Sequence, residues 1–248
     1  MYKFWILYQL LKIAREFYPE YSPFVFAWDH KKKVRKLINK TYKEGRKSPL
    51  TKDDIEQFNI LRKDVLPGIG FQNNFISNGL EADDIIAMVT KLYKGKKMIV
   101  SSDTDLYQLL DEDTSMYKST RKEIYTSKDF EEEWDIKSTL WPLVKAIAGC
   151  ATDNVAGITK GLGEKTAIKF LKREKINEKI RKEICTKGKE IVKKNLRLVL
   201  LPFDGIINPY FVKPDKLSID AFELICTEYG FKVFLKDRVE WKQIFRMK

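Results

Sequence analysis

Two short strand-like segments, each followed at once by an aspartate, constrain the fold of this chain most strongly. Residues 24–28 lead to Asp29, and residues 98–102 lead to Asp103. A short, continuously apolar run predicts a strand that is buried on both faces. Helix-like segments alternate with these runs, which predicts an α/β fold with a parallel sheet. Because the carboxyl ends of parallel strands meet at one crevice, we expect Asp29 and Asp103 on the same rim.

A second group of acids opens a predicted helix. Residues 81–93 have helical character, and Glu81, Asp83 and Asp84 stand in the first turn, after a strand-like segment at residues 75–76. For this group alone the simplest interpretation is helix capping, because acids in a first turn stabilise the helix dipole.

Considered together, these acids predict a metal site. Several carboxylates in one crevice repel one another, and a hard cation such as Mg²⁺ removes that cost. Two such ions about 3.5–4 Å apart can activate a water and stabilise the leaving oxygen in phosphodiester hydrolysis. Simpler alternatives remain for single groups: Asp103 and Asp105 as loop residues, and Asp29 as the partner of a following lysine.

Composition limits the partners and the chemistry. The 248 residues carry a net charge of +12, which favours nucleic acid first and an acidic membrane second. No apolar run approaches the roughly 20 residues of a spanning helix. Because no amphipathic stretch pairs the basic face with a large apolar one, we expect no membrane association. Three widely spaced cysteines (Cys150, Cys185 and Cys226) indicate a reducing compartment. With His30 as the single histidine, hydrolysis would rest on carboxylates and metals.

The basic run at residues 31–47 contains nine basic residues and one acid. A solvated charged helix is the common fate of such a run. This one, however, follows Asp29 directly and so begins beside the predicted metal site. Tyr42, Lys43 and Arg46 would then stack on bases and hold the scissile phosphate.

The predicted secondary structure changes near residues 134–138, where strand-like runs stop and helical segments follow. Upstream, residues 1–17 and 53–66 are predicted helices among the strands. We therefore predict two domains, residues 1–136 and 137–248.

A glycine-rich turn lies in the second half. Gly157, Gly161 and Gly163 precede a helix predicted to begin near residues 164–165, and Lys160 and Lys165 add positive charge. Exposed N–H groups at a helix N-terminus suit a phosphate, read without regard to base sequence. The simpler alternative is an ordinary turn between two helices.

At this point the motifs resemble those of the bacterial and bacteriophage 5′-3′ exonuclease and flap endonuclease family, which includes the 5′-nuclease domain of DNA polymerase I. They appear in family order over roughly residues 1–200. The matching segments are Glu81-Ala82-Asp83-Asp84, Ser102-Asp103-Thr104-Asp105-Leu106-Tyr107-Gln108-Leu109-Leu110, Gly149 with Asp153-Asn154, and Lys160-Gly161-Leu162-Gly163-Glu164-Lys165-Thr166-Ala167.

The resemblance implies a PIN-like α/β domain with a parallel sheet and a helical arch at residues 1–136. A helical, SAM-like helix–three-turn–helix domain with a helix-hairpin-helix DNA-binding motif is implied at residues 137–248. It implies DNA with a 5′ flap or a 5′ single-stranded end as partner, in the cytoplasm of a bacterial cell or of a phage-infected host.

The resemblance also assigns residues. Lys43 and Arg46 would assist at the scissile phosphate, and Arg35 and Tyr42 would contact DNA from the arch. Lys160, Gly161, Gly163 and Lys165 would contact DNA from the hairpin. Two Mg²⁺ or Mn²⁺ ions would be held by a set of acids, with Asp83 more a support than a ligand: Asp29, Glu81, Asp83, Asp84, Asp103, Asp105 and Asp153. A K⁺ ion would be bound by carbonyls near Ala156, Ile158 and Leu162.

Three departures from the family pattern stand out. The family's leading strand, with its metal-binding aspartate, has no counterpart before the first helix of this chain. Cys150 replaces an acid of the second metal site and weakens that site for Mg²⁺. The hairpin at residues 157–161 is one residue longer than usual, which affects the K⁺ geometry.

These observations leave several hypotheses. The leading one is a metal-dependent 5′-nuclease, and the second is a catalytically impaired, structure-specific DNA-binding protein. A separate segment that supplies the missing strand is a third. A PIN-like ribonuclease is a fourth, although the glycine hairpin argues against it.

Overall fold

A computed structural model describes residues 2–30, 34–45, 50–206 and 210–247. Within these residues the α-helices are α1 (Tyr2–Phe17), α2 (Lys52–Ile60), α3 (Leu66–Ile69), α4 (Ala82–Leu92), α5 (Ser127–Trp134), α6 (Trp141–Ala148), α7 (Glu164–Leu171), α8 (Glu178–Val199), α9 (Ile219–Glu228), α10 (Lys232–Lys236) and α11 (Arg238–Ile244). The strands are β1 (Val25–Trp28), β2 (Asn73–Ile76), β3 (Lys97–Val100), β4 (Thr114–Lys118) and β5 (Glu123–Tyr125).

Five short 3₁₀ helices and one π-helical turn complete the secondary structure of the described residues. The 3₁₀ helices are Val34–Leu37, Thr104–Leu109, Ser138–Leu140, Ala151–Asp153 and Phe203–Gly205, and the π turn, Leu61–Val65, joins α2 to α3. In the part of the chain that the structure describes, no helix is both long enough and apolar enough to cross a membrane.

The strands form two sheets in the described residues. β1 pairs with β2, and β3, β4 and β5 form a three-stranded sheet in that order. β3 and β4 are parallel, with Lys97 opposite Thr114, and β4 and β5 are antiparallel. The expected parallel pairing is therefore present at β3–β4. The expectation that the strands before Asp29 and Asp103 share one sheet is wrong, because β1 and β3 lie in separate sheets.

The described residues of 1–28, 47–75 and 211–248 form one compact unit. Its core is built around α1, whose Leu7, Leu11 and Ala14 are buried as the helical periodicity predicts. Leu66 and Trp241 are fully buried in the same core. The C-terminal helices α9–α11 thus belong with the first helix, because their aromatic residues fill the core that α1 lines.

The described residues of 29–46 and 76–210 form the second compact unit. Its core includes Ile99 of β3, Met116 of β4 and Trp141 of α6, and α7 and α8 contribute Ile168 and Ile184. The boundary predicted between residues 136 and 137 lies inside this unit. All of the predicted site residues that the structure describes also lie here, so the candidate site is built within one unit.

Candidate metal centre

A buried guanidinium joins two of the predicted acids. Arg35, in the 3₁₀ turn Val34–Leu37, is 2% exposed. Its Nη1 lies 2.6 Å from Asp84 Oδ2 and 3.1 Å from Glu81 Oε2, and its Nη2 lies 2.7 Å from Asp84 Oδ1. Its Nε donates to the carbonyl of Leu198 at the end of α8. Burial acts to lower the pKa of Arg35, but the hydrogen bond and charge of Asp84 outweigh it and raise that pKa.

Asp84 serves as an internal anchor in this arrangement. It is 0% exposed, and both of its oxygens accept hydrogen bonds from Arg35. Asp84 Oδ2 also accepts from the N–H of Glu81, which caps α4, and Oδ1 accepts from the N–H of Phe203. The capping interpretation thus holds for Asp84, and its contacts give no support to its predicted role as a metal ligand.

Glu81 collects three donors at the start of α4. Besides Arg35, it accepts from the Lys43 ammonium at 2.6 Å and from the Tyr42 hydroxyl at 2.9 Å. Burial and the charge of Glu81 raise the pKa of Tyr42, so this hydroxyl stays protonated and donates. Tyr42 is 2% exposed. The structure therefore places both Tyr42 and Arg35, predicted to contact DNA, in the interior beside the acids.

A clamp at Asn154 holds Lys43 in place. The Asn154 side chain donates to the carbonyls of Thr41 and Glu44, and the Asn39 side chain donates back to the Asn154 carbonyl. Asn154 adopts a left-handed conformation (φ 56°), which asparagine tolerates better than most residues. The Lys43 ammonium lies 3.7 Å from Asp153 as well as beside Glu81. Lys43 is therefore fixed between two predicted metal ligands.

Three more acids define the open side of this site. Asp29 accepts a hydrogen bond from the N–H of Ala82 at 2.8 Å, and Asp103 accepts one from the N–H of Asp105 at 2.9 Å. Both are exposed, whereas Asp83 is half-buried. Burial, followed by the charge of Asp103, raises the pKa of Asp83 to about 7, and the charges of Glu81 and Asp29 add to this effect. Carboxylates that share a cation site repel one another when no cation is bound, and this repulsion raises their pKa.

We expect Asp83→Asn to stabilise the metal-free protein in a pH-dependent way. Because the folded-state pKa of Asp83 is raised from 3.8 to about 7, the native state holds a proton that the unfolded chain releases, and wild-type stability falls as pH rises through that window. Asparagine carries no charge. Thermal unfolding in chelator should show a higher Tm for the variant at about pH 8 and no difference near pH 4. The exposed control Asp113→Asn should lack this gain, and a gain of equal size at both pH values would contradict ionisation of Asp83 as its cause.

A second group of donors gathers Asp105, Cys150 and Asp153. One carboxylate oxygen of each aspartate and the thiol sulfur lie within 4.8 Å of one another, the one such trio of metal-binding side chains found in the described residues. Burial, followed by the charges of Asp105 and Asp153, raises the pKa of the Cys150 thiol against the opposing effect of a contact with the Thr152 hydroxyl.

Two glycines make this second group possible. Gly149 has a φ of +82°, and a Cβ on it would lie 2.3 Å from the backbone nitrogen of Gly157. A Cβ on Gly157 would in turn lie 2.1 Å from the Ala148 carbonyl oxygen. This close approach lets Cys150 and Val155 exchange two backbone hydrogen bonds around the short turn that carries Asp153.

Sequence reasoning missed Lys145. This residue of α6 is 7% exposed, and its ammonium lies 3.0 Å from Asp105 and 3.7 Å from Glu164. Burial acts to lower the pKa of Lys145, but the charge and hydrogen bond of Asp105 outweigh it and raise that pKa. A signal was present, because Lys145 is the one charged residue in the apolar helix WPLVKAIA. A charge in such a position is buried only when it is paired.

The donor chemistry divides this site into two parts. Asp29, Glu81, Asp83 and Asp103 offer carboxylate oxygens, the ligands that Mg²⁺ and Mn²⁺ prefer. The trio that contains Cys150 replaces one oxygen by sulfur and does not fit Mg²⁺ as well.

The glycine hairpin lies between α6 and α7 as predicted. Lys160, Gly161, Gly163 and Lys165 are exposed, and a Cβ on either glycine would meet no atom within 4 Å. This backbone is therefore open to a phosphate at the start of α7. Of the residues predicted to hold K⁺ through their carbonyls, Ala156 accepts from the Asn195 side chain at 2.8 Å. The other two, Ile158 and Leu162, have side chains buried in the core.

The structure describes one of two further residues that the sequence singled out, His30 and Arg46. Arg46, predicted to act at the scissile phosphate, lies outside the described residues. His30 accepts a hydrogen bond from the N–H of Gly79 through Nδ1, so the single histidine stabilises a turn.

Comparison with known proteins identifies the family that this chain resembles. The family model for the 5′-3′ exonuclease N-terminal resolvase-like domain matches residues 3–135. DNA polymerase I of Deinococcus radiodurans is 36% identical over 143 residues, which cover 56% of this chain and 14% of the polymerase. The 5′-3′ exonuclease of Aquifex aeolicus is 32% identical over 209 residues, which cover 80% of this chain and 70% of that protein.

The fold resembles that of the T5 D15 protein, whose structure was determined with co-crystallised metal ions. The TM-score is 0.66 at 22% identity, with 94% of this chain and 89% of that chain covered. A similarity at this identity establishes the PIN-like fold.

Proposed function

The chain belongs to the 5′-3′ exonuclease family, and from this premise we propose that it is a structure-specific, metal-dependent 5′-nuclease. Its substrate is DNA with a 5′ flap or a 5′ single-stranded end, and it hydrolyses phosphodiester bonds. The chain spans only 14% of the polymerase that it matches, so this activity is inferred for the chain itself from its own site.

The acidic site beside Lys43 carries this proposal. Burial, together with the charges of Asp103, Glu81 and Asp29, raises the pKa of Asp83 in this acidic site, within a protein of net charge +12. A basic surface attracts the DNA backbone, and an acidic pocket attracts the cations that hydrolysis needs.

Mg²⁺ or Mn²⁺ held by these carboxylates would supply an activated water and stabilise charge on the leaving oxygen. The chain's own residues position the reaction. Arg35 and Tyr42 hold Glu81 from inside, and Asn154 holds the turn that carries Lys43. Lys43 reaches the acidic site with its ammonium, and we assign it, with Arg46, to the scissile phosphate.

Outside the acidic site, the glycine hairpin binds the DNA backbone. Its exposed lysines and open backbone suit a phosphate held without regard to base sequence. The helix-hairpin-helix assignment and K⁺ binding by the carbonyls of Ala156, Ile158 and Leu162 remain predictions.

Neutralising Lys160 and Lys165 together should weaken DNA binding mainly at low salt. Each lysine that contacts a phosphate adds about 0.9 to the slope of log K against log salt, so Lys160→Gln with Lys165→Gln should lower the slope by about 2. Fluorescence anisotropy of a labelled flap DNA over a salt series measures this slope. The control Lys128→Gln removes another exposed charge of the same unit, with a side chain that is 85% exposed. A slope lowered equally by the control would contradict a specific contact at the hairpin.

A catalytically impaired DNA-binding protein is the second candidate. The observations that favour it are the thiol of Cys150 among the donors and the ammonium of Lys145 on Asp105. Such a protein would bind a flap tightly and leave it uncut.

A segment that adds a strand is a further predicted partner. β3 lies at the edge of its sheet in the described residues, and the Val100 side chain at its end is 43% exposed. An exposed strand edge can accept another strand. A gain in Tm on adding a synthetic peptide with a family-like leading strand would support this partner.

The proposed function is tested with three labelled substrates of one sequence: a 5′-flap DNA, the same duplex without a flap, and an RNA of the flap strand. We expect cleavage near the junction of the flap DNA in Mg²⁺ or Mn²⁺, weaker cleavage of the plain duplex, and none of the RNA. Preferred cleavage of RNA would replace the proposal by a ribonuclease, and tight flap binding without cleavage would favour the impaired protein.

A further inference from the structure

One group of donors in the site does not suit Mg²⁺. Asp105, Cys150 and Asp153 bring two carboxylates and one thiol within 4.8 Å of one another. Mg²⁺ demands near-octahedral oxygen coordination, and a thiol supplies no oxygen. Thiolate ligands select Zn²⁺, Cu⁺ and related soft ions instead.

Burial and geometry at this group suit a small tetrahedral ion. Cys150 is 8% exposed and Asp153 is 7% exposed, while Asp105 remains half-buried on the open side. Around tetrahedral zinc, with bonds of about 2.0–2.3 Å, ligand atoms lie about 3.3–3.8 Å apart. The donors therefore need to close by roughly 1 Å, and three protein ligands leave the fourth position to water, as in catalytic zinc sites.

The lysines near the group oppose every divalent cation alike, so the sulfur ligand decides between the ions. Lys145 lies 3.0 Å from Asp105 and Lys43 lies 3.7 Å from Asp153, so two ammonium groups already face the two carboxylates. A hard cation would have to compete with both ammonium groups through two carboxylates alone. A thiophilic ion gains an additional covalent bond to sulfur, which neither lysine can replace.

We infer that Asp105, Cys150 and Asp153 form a site selective for a thiophilic divalent ion of the zinc class over Mg²⁺. On binding, the S–H bond of Cys150 gives way to a metal–sulfur bond, and the proton passes to solvent. This inference deepens the proposed function, on which it rests, because it separates the metal preference of this group from that of the carboxylates around Asp83.

Metal titration without DNA tests the inference. Cys185 is exposed and would bind soft ions on its own, so the starting protein is Cys185→Ser. Cd²⁺ bound to a thiolate produces an ultraviolet charge-transfer band. We expect this band to saturate at one ion per chain and to persist in excess Mg²⁺. Cys150→Ser should remove it and lower Cd²⁺ affinity at least about tenfold.

Two further variants at Cys150 separate loss of the metal site from loss of the fold. Cys150→Ala replaces Cys150→Ser if the latter fails to fold by circular dichroism. Cys150→Asp should lose the band and bind one more Mg²⁺ per chain by calorimetry. A band that survives the loss of Cys150, or no band in the folded Cys185→Ser protein, would overturn the inference. Because neither measurement involves DNA cleavage, failure of the soft-metal site is distinct from failure of the nuclease proposal.

Discussion

Arg35→Ala is expected to destabilise the protein by about 3–5 kcal/mol, the usual cost of removing one partner from a buried ion pair. The variant would leave Asp84, which is 0% exposed, without two hydrogen bonds and Glu81 without one. The carbonyl of Leu198 would also lose its donor. Urea unfolding followed by circular dichroism measures the change.

A matched control is available in the same unit. Arg197 makes a comparable two-point contact with Asp204, at 2.8 and 2.9 Å, but its side chain is 54% exposed. Water can replace the lost partner there, so Arg197→Ala should cost much less than Arg35→Ala. Equal losses in the two variants would contradict the view that burial makes Arg35 indispensable.

Asp103→Asn is expected to lower the rate of flap cleavage at least about 100-fold. A bound metal stabilises the transition state by several kcal/mol, and each loss of about 1.36 kcal/mol slows the reaction tenfold. The fold should be unaffected. Asp103 Oδ1 accepts from the N–H of Asp105, and an asparagine carbonyl can accept that bond equally well. Single-turnover cleavage and thermal unfolding of one preparation separate the two effects.

Asp111→Asn is the control for this prediction. Asp111 Oδ1 accepts from the N–H of Asp113 at 2.9 Å, the same local geometry as at Asp103 but outside the acidic site. Its cleavage rate should equal that of the wild type. An Asp103→Asn protein that is fully folded and fully active would remove Asp103 from the metal centre.

Much of the local structure followed from pattern alone. The periodicity of residues 1–17 predicted α1, and the apolar runs before Asp29 and Asp103 predicted β1 and β3. The helical period of 3.6 residues and a short apolar run are both local features, which a sequence displays directly. The motif that follows Asp103 begins with the 3₁₀ helix Thr104–Leu109.

Contacts between residues far apart in the sequence could not be predicted from local pattern. Nothing in the run of lysines at 31–47 distinguishes Arg35, which is buried with Asp84, from Lys36, which is exposed. The partner that compensates the burial of Arg35 lies 49 residues away. The packing of α11 near α1 is equally invisible to local pattern, because it depends on which apolar faces meet.

The candidate site shows the same division. The acidic motifs located the carboxylates, because each follows a strand or begins a helix. They did not reveal that the carboxylate oxygens of Asp84 accept hydrogen bonds from within the protein, or that Lys145 pairs with Asp105. Those facts depend on side-chain direction within a folded unit, which residue spacing alone does not fix.

Whether the carboxylates hold the metals that act on DNA is measured by single-turnover cleavage of a 5′-labelled flap DNA by the chain, first in chelator and then with Mg²⁺ or Mn²⁺ added back. We expect no cleavage in chelator, cleavage near the junction that saturates with added metal, and no recovery in Asp103→Asn at any metal concentration. Cleavage that persists in chelator, or recovers equally in Asp103→Asn, would contradict the claim that the carboxylates beside Lys43 hold the metals that act on DNA.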